Sequence, residues 1–280
     1  MAGFVAPNFD KLLETTPVGW TGDWHGNTQW AIHAIDSLRG RGVSIVYQLG
    51  DFGLWGGQDG AKYLRKVQRT LGFGNMLLIV TPGNHENYDM LETFPLNQYG
   101  FRSRPDIGRI WFAPRGHIWS HHGANLASLG GAGSIDKARR KEGRSWWSQE
   151  EITEKDVDSL RNNMAIHGLN KIDVMMTHDA PAGIDLGPKS KSGGVPPEVE
   201  HYCHKQRLIL RDAVDIANPR TLMHGHWHLS NATFLNGVTL TGENYRSEII
   251  GLDMDMSAHN MMLGELAPSS GILGKEVIWR

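Results

Sequence analysis

Short apolar runs alternate with segments of helical spacing in the first half of the chain. Five runs rich in β-branched and apolar residues are too short for typical helices and predict buried strands, at 43–49, 76–81, 126–129, 172–177 and 221–223. Residues spaced as on one helical face lie between the early strands, at Ala31, Ala34, Ile35 and Leu38 and at Leu64, Val67 and Leu71. With a further run at 18–21, the order β-α-β-α-β predicts an α/β fold with a largely buried sheet. Ligands of such folds gather beyond the carboxyl ends of the strands.

The second half of the chain is less regular and predicts a loop followed by a long helix. Ser148 and Glu151 have the spacing of a capping box, which predicts a helix beginning near Gln149. Glycines and prolines favour a loop over 183–197. The apolar helical face after this loop ends before Pro219 and consists of Val199, Cys203, Leu210, Val214 and Ala217.

The C-terminal part has the pattern of a hairpin. Short apolar segments between residues 233 and 253 are separated by Asn236-Gly237 and by Gly242. The sequence contains no internal repeat and no long linker. We therefore predict one domain over residues 1–280, with a loop-helix insertion at about 183–218.

The composition is that of an ordinary globular protein. Of the 280 residues, 40% are hydrophobic and 21% are charged, which excludes a disordered or fibrous chain. The formal net charge of -2 gives no global reason for binding nucleic acid or an anionic membrane. Cys203 is the single cysteine, so an internal disulfide is excluded. Because the sequence has no signal-peptide pattern and no run of roughly 20 apolar residues, we expect a cytoplasmic location and no membrane partner.

Residue types suited to metal binding directly follow the predicted strands. The segments are Gly22-Asp23-Trp24-His25-Gly26, Gly50-Asp51, Gly83-Asn84-His85-Glu86, His178 and Gly225-His226-Trp227-His228. Because each begins where a strand ends, all five could meet at one edge of the fold. Each segment alone is a weak signal, but five in this order are a strong one.

Together, the five segments resemble the signature of the calcineurin-like metallophosphoesterases: Asp-x-His, Gly-Asp, Gly-Asn-His-Asp/Glu, His and Gly-His-x-His. The resemblance covers about residues 23–228. It implies a four-layer α/β/β/α sandwich, with two mixed sheets flanked by helices. It also implies two divalent metal ions per chain and hydrolysis of phosphate esters by a hydroxide that bridges them.

The resemblance implies a role for each matching residue. One metal would be held by Asp23, His25, Asp51 and His228, and the other by Asp51, Asn84, His178 and His226. Asp51 is then the bridge, and His85 would bind no metal but would stabilise or protonate the leaving oxygen. These ligands suit Mn, Fe, Co, Ni or Zn, and the sequence does not choose among them. It does not identify the substrate-binding residues either.

The second motif restricts the substrate class. The protein serine/threonine phosphatase branch looks like Gly-Asp-x-x-Asp-Arg at this motif, whereas Asp51 is followed by Phe52-Gly53-Leu54-Trp55. The paired His226 and His228 look more like bacterial phosphodiesterases and small phosphatases. We therefore expect a phosphodiesterase or nucleotide phosphoesterase that acts on a small phosphate ester.

Two other functions are kept as alternatives. A metal-dependent nuclease is motivated by a basic cluster consisting of Lys137, Arg139, Arg140, Lys141 and Arg144. A nucleic-acid partner is therefore open but not favoured, because the same cluster is equally typical of a solvated loop. A non-catalytic scaffold is less favoured, because such proteins usually lose ligands and every expected ligand position is filled here.

Several other residues have two interpretations. His224 could compete as a ligand, but the Gly-His-x-His frame favours the two later histidines. His201 and His204 have helical spacing and could bind an ion, although solvated surface residues are the more common case. Trp146 and Trp147 could stack on a base, but core packing is favoured.

Overall fold

Two six-stranded sheets pack face to face in the computed structural model of the protein, which describes residues 9–14, 16–186 and 195–278. The first sheet has the spatial order β12 (Gly271–Val277), β11 (Met261–Ala267), β1 (Val18–Thr21), β2 (Ile45–Gln48), β3 (Leu77–Val80) and β4 (Ile110–Phe112). The second sheet has the order β5 (His117–His121), β6 (Ala124–Leu129), β7 (Val174–Thr177), β8 (Thr221–His224), β10 (Asn244–Gly251) and β9 (Asn231–Val238). Both sheets are mixed. In the first sheet, β1 to β4 form parallel pairs, and β11 pairs antiparallel with β1 and β12. In the second sheet, β6, β7, β8 and β10 form parallel pairs, whereas β5 and β9 pair antiparallel with β6 and β10.

Helices cover the outer face of each sheet. The α-helices of the described residues are α1 (Phe9–Leu12), α2 (Thr28–Arg39), α3 (Gly57–Phe73), α4 (Tyr88–Glu92), α5 (Glu154–Ile166) and α6 (Pro197–Ala217). Short 3-10 helices lie at Pro105–Ile107, Lys137–Arg139 and Ser148–Glu150. Within the described ranges, no helix is both long enough and apolar enough to cross a membrane.

Alternating side chains of the buried strands produce the layers. In β2 and β3, Val46 and Leu78 pack with the core beneath α2 and α3, whereas Tyr47 and Ile79 pack between the two sheets. In β7, Met175 points to the core beneath α5 and α6, and its neighbours on either side pack between the sheets. The predicted four-layer α/β/β/α sandwich is therefore confirmed.

The helix predicted to begin near Gln149 is wrong. The segment Ser148–Glu150 is a single 3-10 turn, and α5 begins later, at Glu154. The capping box is formed instead by Thr153, whose N–H donates to Oδ2 of Asp156 at 2.8 Å. The sequence analysis considered only the spacing of Ser148 and Glu151 and did not find the box at Thr153.

The predicted C-terminal hairpin is confirmed, but its turn is not at Asn236-Gly237. These two residues lie inside β9 and pair with β10. The chain reverses between the two strands, where Gly242 has a φ of 84°. A Cβ at Gly237 would lie 2.4 Å from the ring of Tyr245, so this glycine makes room for an aromatic side chain.

The helix predicted after the loop is present as α6 and ends before Pro219. Its apolar face includes Leu210 and Val214, which pack with α5 over the second sheet. Of the loop predicted over 183–197, residues 187–194 lie outside the described part of the chain. The described ends of that segment, 183–186 and 195–196, are neither helix nor strand.

Candidate metal centre

Five loops bring the predicted metal ligands together. They follow the carboxyl ends of β1, β2 and β3 in the first sheet and of β7 and β8 in the second. Two clusters of three side chains result, each with ligand atoms within 4.8 Å of one another. The clusters are Asp23, His25 and His228, and Asp51, His178 and His226. The two facing sheets therefore bring together residues from separate motifs.

Asp51 lies between the two clusters. Its Oδ2 is 3.6 Å from Nε2 of His25 in the first cluster, and its Oδ1 is 3.2 Å from Nε2 of His178 in the second. Its Oδ1 also accepts the backbone N–H of His85 at 2.9 Å. Each carboxylate oxygen thus faces a different cluster, which is the arrangement that a bridging ligand requires.

Asp23 has one oxygen that the protein leaves unsatisfied. Its Oδ1 accepts the backbone N–H of His226 at 3.0 Å, while its Oδ2 lies 3.2 Å from Nε2 of His228. This Oδ2 is buried and has no hydrogen-bond partner among the described residues. An unsatisfied buried polar atom is unfavourable, by about 1–3 kcal/mol and more for a charged group. A bound cation would remove that penalty, so the residue fits a metal site.

His178 presents Nε2 to a group of oxygen atoms. Its Nδ1 is 2.7 Å from the carbonyl oxygen of Leu49, so the Nδ1–H donates there and Nε2 carries the lone pair. The lone pair faces Oδ1 of Asn84 at 2.9 Å and Oδ1 of Asp51 at 3.2 Å. Three electron-rich atoms repel one another unless positive charge lies among them, either a metal ion or a second proton on the ring of His178. This side of the site therefore also fits a metal ion.

The pKa values indicate the same preference for positive charge. Burial lowers the pKa of His178, but the attraction of Asp51 and Asp23 outweighs it and raises the pKa to about 10. Burial alone would raise the pKa of Asp51, but the neighbouring His178 and His25 hold it well below its usual range. Burial lowers the pKa of His226 to about 3, which keeps this imidazole neutral and able to bind a metal.

Four of the ligand candidates have a strained backbone. His25, Asp51, His226 and His228 have φ values of 45°, 50°, 67° and 49°, in the left-handed region that favours glycine. Such conformations are unfavourable by about 1–3 kcal/mol each and persist only where the surroundings enforce them. Here the strain directs side chains from three of the loops toward one centre.

Glycines before the ligands permit the loops to approach closely. A Cβ at Gly83 would lie 2.3 Å from both the N and the Oδ1 of Asp51. A Cβ at Gly225 would lie 2.2 Å from Oδ1 of Asp23. The glycines in these motifs are therefore required by the approach of one ligand loop to another.

His85 lies beside the candidate ligands without joining either cluster. Its backbone is held on both sides, since its N–H donates to Asp51 and its carbonyl oxygen accepts from Nε1 of Trp55 at 2.9 Å. Burial lowers the pKa of its ring, despite the attraction of Asp51. The ring lines the cavity above the centre.

Asn84 is oriented by a network that sequence analysis did not find. Its Nδ2 donates to Oγ of Ser134 at 2.7 Å, which leaves its Oδ1 facing the centre. Arg140 donates to the same Ser134 Oγ at 2.7 Å, to the Asn84 carbonyl at 3.0 Å and to buried Glu150 at 3.0 Å. These partners come from a segment 50 or more residues away, where no local pattern marks them.

His25 is oriented by a residue near the C-terminal end of the chain. Its Nδ1 is 3.1 Å from Oδ1 of Asp255, and the other oxygen of this carboxylate accepts from Nδ2 of Asn27 at 2.7 Å. A carboxylate on the second ring nitrogen fixes the orientation of a metal-binding imidazole. Asp255 lies in a loop between β10 and β11, 230 residues from His25, and no sequence motif indicated it.

One cavity of about 580 Å³ opens onto the centre. The centre side is lined by His25, Asp51, Asn84, His85, His226 and His228. The rest of the lining includes Ile135, Asp136, Glu200, His204, Arg207 and Trp227. A substrate in this cavity can contact the candidate ligands and α6 at the same time.

The structure shows where the residues that had two interpretations lie. His224 is buried outside both clusters, with Nδ1 at 2.9 Å from the Gly225 carbonyl oxygen, and burial lowers its pKa. His201 and His204 are both exposed, and of the two only His204 lines the cavity. Trp147 packs in the core, as favoured, and donates to Asp89 at 2.9 Å.

Comparisons with known proteins identify the family but give no similar curated protein. The model of the calcineurin-like phosphoesterase family matches residues 16–230. A search of curated proteins gave no match. A dimetal phosphatase from Danio rerio is 13% identical, with a TM-score of 0.49, over 89% of this chain and 92% of that chain.

Two further solved structures are similar at the same low level of identity. A protein from Thermus thermophilus is 10% identical, with a TM-score of 0.48, over 89% of this chain and 99% of that one. A purple acid phosphatase from seeds of yellow lupin (Lupinus luteus) is 10% identical, with a TM-score of 0.45, over 95% of this chain and 48% of that one. Because the family match spans well over half of the residues, the chain belongs to the calcineurin-like phosphoesterases and is a hydrolase of phosphate esters that depends on two divalent metal ions.

Proposed function

We propose that the protein hydrolyses phosphodiesters or nucleotide phosphoesters at a dinuclear metal centre. In this proposal, one metal is held by Asp23, His25, Asp51 and His228, and the other by Asp51, Asn84, His178 and His226. The observation that supports it best is the position of Asp51, whose two oxygens face two different clusters.

The charge of the centre suits an anionic substrate. Two divalent cations exceed the charge of the two carboxylates, so the loaded site attracts phosphate. When bound, the two ions polarise the phosphate and lower the pKa of a shared solvent molecule toward neutrality, which supplies the nucleophile. The nitrogen and oxygen donors are compatible with Mn, Fe, Co, Ni or Zn.

We propose that His85 stabilises or protonates the leaving oxygen of the ester. Its ring lines the cavity beside the ligands, and its backbone is anchored on both sides by Asp51 and Trp55. An imidazole in this position can donate a hydrogen bond or a proton to the departing oxygen. His85→Ala should therefore lower kcat by about 100-fold or more while the metal content is unchanged.

The charges that line the cavity favour a diester over a monoester. Outside the ligand clusters, Arg207 is the only lysine or arginine among the described lining residues, and it already donates to two backbone carbonyl oxygens. Asp136 and Glu200 also line the cavity and oppose additional negative charge. A phosphodiester carries one negative charge, whereas a monoester carries close to two at neutral pH. A phosphodiester therefore suits the charge of the cavity better than a monoester does.

The residues after Asp51 support the same preference. Where the protein phosphatase branch has an Asp and an Arg, this chain has a segment that includes Phe52 and Leu54. Both are fully buried in the core beneath α2 and α3, so they cannot grip a phosphate. No substitute for the missing arginine is thus supplied from this loop.

The test is to remove the metals, restore them singly, and compare two substrates. We expect metal-restored protein to hydrolyse bis-(p-nitrophenyl) phosphate with a higher kcat/KM than p-nitrophenyl phosphate. His201→Ala, an exposed position on α6, is the control and should behave as the wild type. A strong preference for the monoester would contradict the proposal.

The nuclease alternative is weakened by the contacts of the basic cluster. Lys137 pairs with Glu151 at 2.6 Å, and Arg140 pairs with buried Glu150 at 3.0 Å. Two of the five cations therefore already have carboxylate partners. Cleavage of DNA or RNA that falls steeply with rising salt would restore this alternative.

We further propose that the whole chain is one domain that acts on a small phosphate ester. The last two strands, β11 and β12, complete the first sheet beside β1, so the C-terminal part is integral to the fold. A cytoplasmic location stays a prediction from the sequence.

A further inference from the structure

Beside the candidate metal ligands, the cavity is lined by aromatic, apolar and polar side chains. His204 and Arg207 are three residues apart on α6 and therefore share a face of the helix. Both line the cavity together with Trp227 and Ile135. None of these four side chains has a part in the proposed metal centre, so their role must be sought in what the cavity binds.

Trp227 lines the cavity, and the polar atom of its indole ring is already bonded within the protein. Its Nε1–H donates to Oδ1 of buried Asp179 at 2.8 Å. The guanidinium group of Arg207 lies 5.0 Å from the ring centroid. The ring can therefore offer apolar surface to a planar group in the cavity.

Arg207 is itself fixed in place. Its Nε donates to the carbonyl oxygen of Ala180 at 2.9 Å, and its Nη2 donates to that of Pro181 at 3.1 Å. These bonds tie α6 to the loop that follows the ligand His178. The fixed charge and the indole ring form a preorganised surface beside the metal centre.

The remaining lining residues supply apolar contact and hydrogen bonds. Ile135 is 63% exposed, and it borders the same cavity as Trp227. His204 can donate or accept a hydrogen bond, and Asp136 and Glu200 can accept one. A planar heteroaromatic group with donors and acceptors on its edge would use all of these features, whereas a simple alkyl group would use few.

We propose that Ile135, His204, Arg207 and Trp227 form a subsite for the nucleoside part of a phosphodiester substrate. This inference rests on the proposed phosphodiesterase activity and names the group that lies beyond the scissile phosphate. The base would contact Trp227 and Ile135, and the polar edges of the nucleoside would face His204 and Arg207.

The test uses two diesters that share their leaving group. Thymidine 5′-(p-nitrophenyl phosphate) and methyl p-nitrophenyl phosphate release the same p-nitrophenolate and differ only in the group beyond the phosphate. We expect the metal-loaded wild type to prefer the nucleoside diester by about tenfold or more in kcat/KM, in line with the contribution of stacking a base on an aromatic ring. Ile135→Ala and His204→Ala should each reduce this preference several-fold.

Matched controls separate subsite contacts from general effects. His201 is exposed on the same helix as His204, and Ile166 is 77% exposed at the end of α5. Neither is among the described residues that line the cavity. His201→Ala and Ile166→Ala should keep both the rates and the preference of the wild type.

The outcomes distinguish a failure of the nucleoside subsite from a failure of the phosphodiesterase activity. If both diesters are hydrolysed with equal kcat/KM, or if the preference survives in Ile135→Ala and His204→Ala, the subsite is refuted and the phosphodiesterase stands. If neither diester is hydrolysed by metal-loaded protein that cleaves a monoester, the proposed activity is refuted, and the subsite with it.

Discussion

Replacing Asp51 by asparagine should empty the metal centre. The substitution keeps the shape of the side chain and one carbonyl oxygen, but it removes the negative charge that lies between the clusters. In the folded protein the two oxygens of Asp51 lie 3.6 Å from Nε2 of His25 and 3.2 Å from Nε2 of His178. A cation in either cluster therefore lies close to this carboxylate.

The size of the effect follows from these distances. Two unit charges about 4 Å apart interact by about 4 kcal/mol at an effective dielectric constant of about 20. For this estimate each cation is given one unit of net charge, because the other ligand carboxylate, Asp23, and solvent reduce its effective charge. The loss is then about 4 kcal/mol for each ion, which corresponds to a binding constant about a thousandfold weaker.

The assay measures bound metal and activity on the same sample. Asp51→Asn protein is loaded with Mn²⁺, dialysed against micromolar Mn²⁺, and analysed by mass spectrometry for metal per chain. We expect the wild type to keep two ions and Asp51→Asn to keep fewer than one, with hydrolysis of bis-(p-nitrophenyl) phosphate reduced by about a thousandfold or more.

Asp173→Asn is the matched control. Asp173 is also a buried carboxylate, and its oxygens accept backbone N–H groups of Asn125 and Ser269 at 2.8 and 2.7 Å. It lies just before β7, at the end of that strand opposite to His178. This variant should keep both metals and its activity. Two bound ions and near-normal turnover in Asp51→Asn would refute the bridging role.

Three further perturbations test residues that support the centre or the fold. Asp255→Asn should weaken one metal by about 10–100-fold, because the hydrogen bond to His25 loses its charge, and a competitive titration with a fluorescent chelator measures this. Ser134→Ala should weaken one metal by a similar factor, because Asn84 loses the acceptor that orients its amide, and the same titration applies. His121 is buried, and burial lowers its pKa from 6.5 to about 3, so the unfolded chain binds the extra proton between these values. The free energy of unfolding should therefore fall as the pH decreases below about 6.5. In His121→Gln this fall should be smaller by about 1.4 kcal/mol per pH unit. Urea unfolding with excess metal measures the difference.

Each of these expectations has an outcome that contradicts it. Wild-type metal affinity in both Asp255→Asn and Ser134→Ala would mean that the orienting bonds do not contribute. For His121, an unchanged slope of unfolding free energy between pH 6.5 and 5 in His121→Gln would show that its titration does not destabilise the fold. His167→Gln, at an exposed position after α5, is the control for that slope.

The sequence predicted the fold class because its signals are local. An apolar run such as 76–81 can be satisfied only by burial on both faces, and β3 places Leu78 and Ile79 in two different cores. The helix expected at Gln149 failed for the converse reason. Ser148 and Glu151 have the spacing of a capping box, but Glu150 between them is buried against Arg140, a tertiary contact, and the helix begins after Thr153.

The candidate ligands could be named from sequence because each follows a strand and their order resembles a family signature, although His178 stands alone rather than in a motif. Their supporting residues could not, because Asp255 and Ser134 contact His25 and Asn84 across 230 and 50 residues. The part of α6 that lines the cavity could not be predicted either, since the spacing of His201 and His204 does not tell which of them faces a cavity.

What the sequence by itself determined is therefore the alternation of strands and helices in the first half of the chain and the chemical types at the strand ends. The tertiary structure decided which oxygen of Asp51 faces which cluster and which face of α6 borders the cavity. The physical reason is that hydrophobic periodicity and short motifs are properties of neighbouring residues. Distances between ligand atoms depend instead on how two sheets pack across the whole chain.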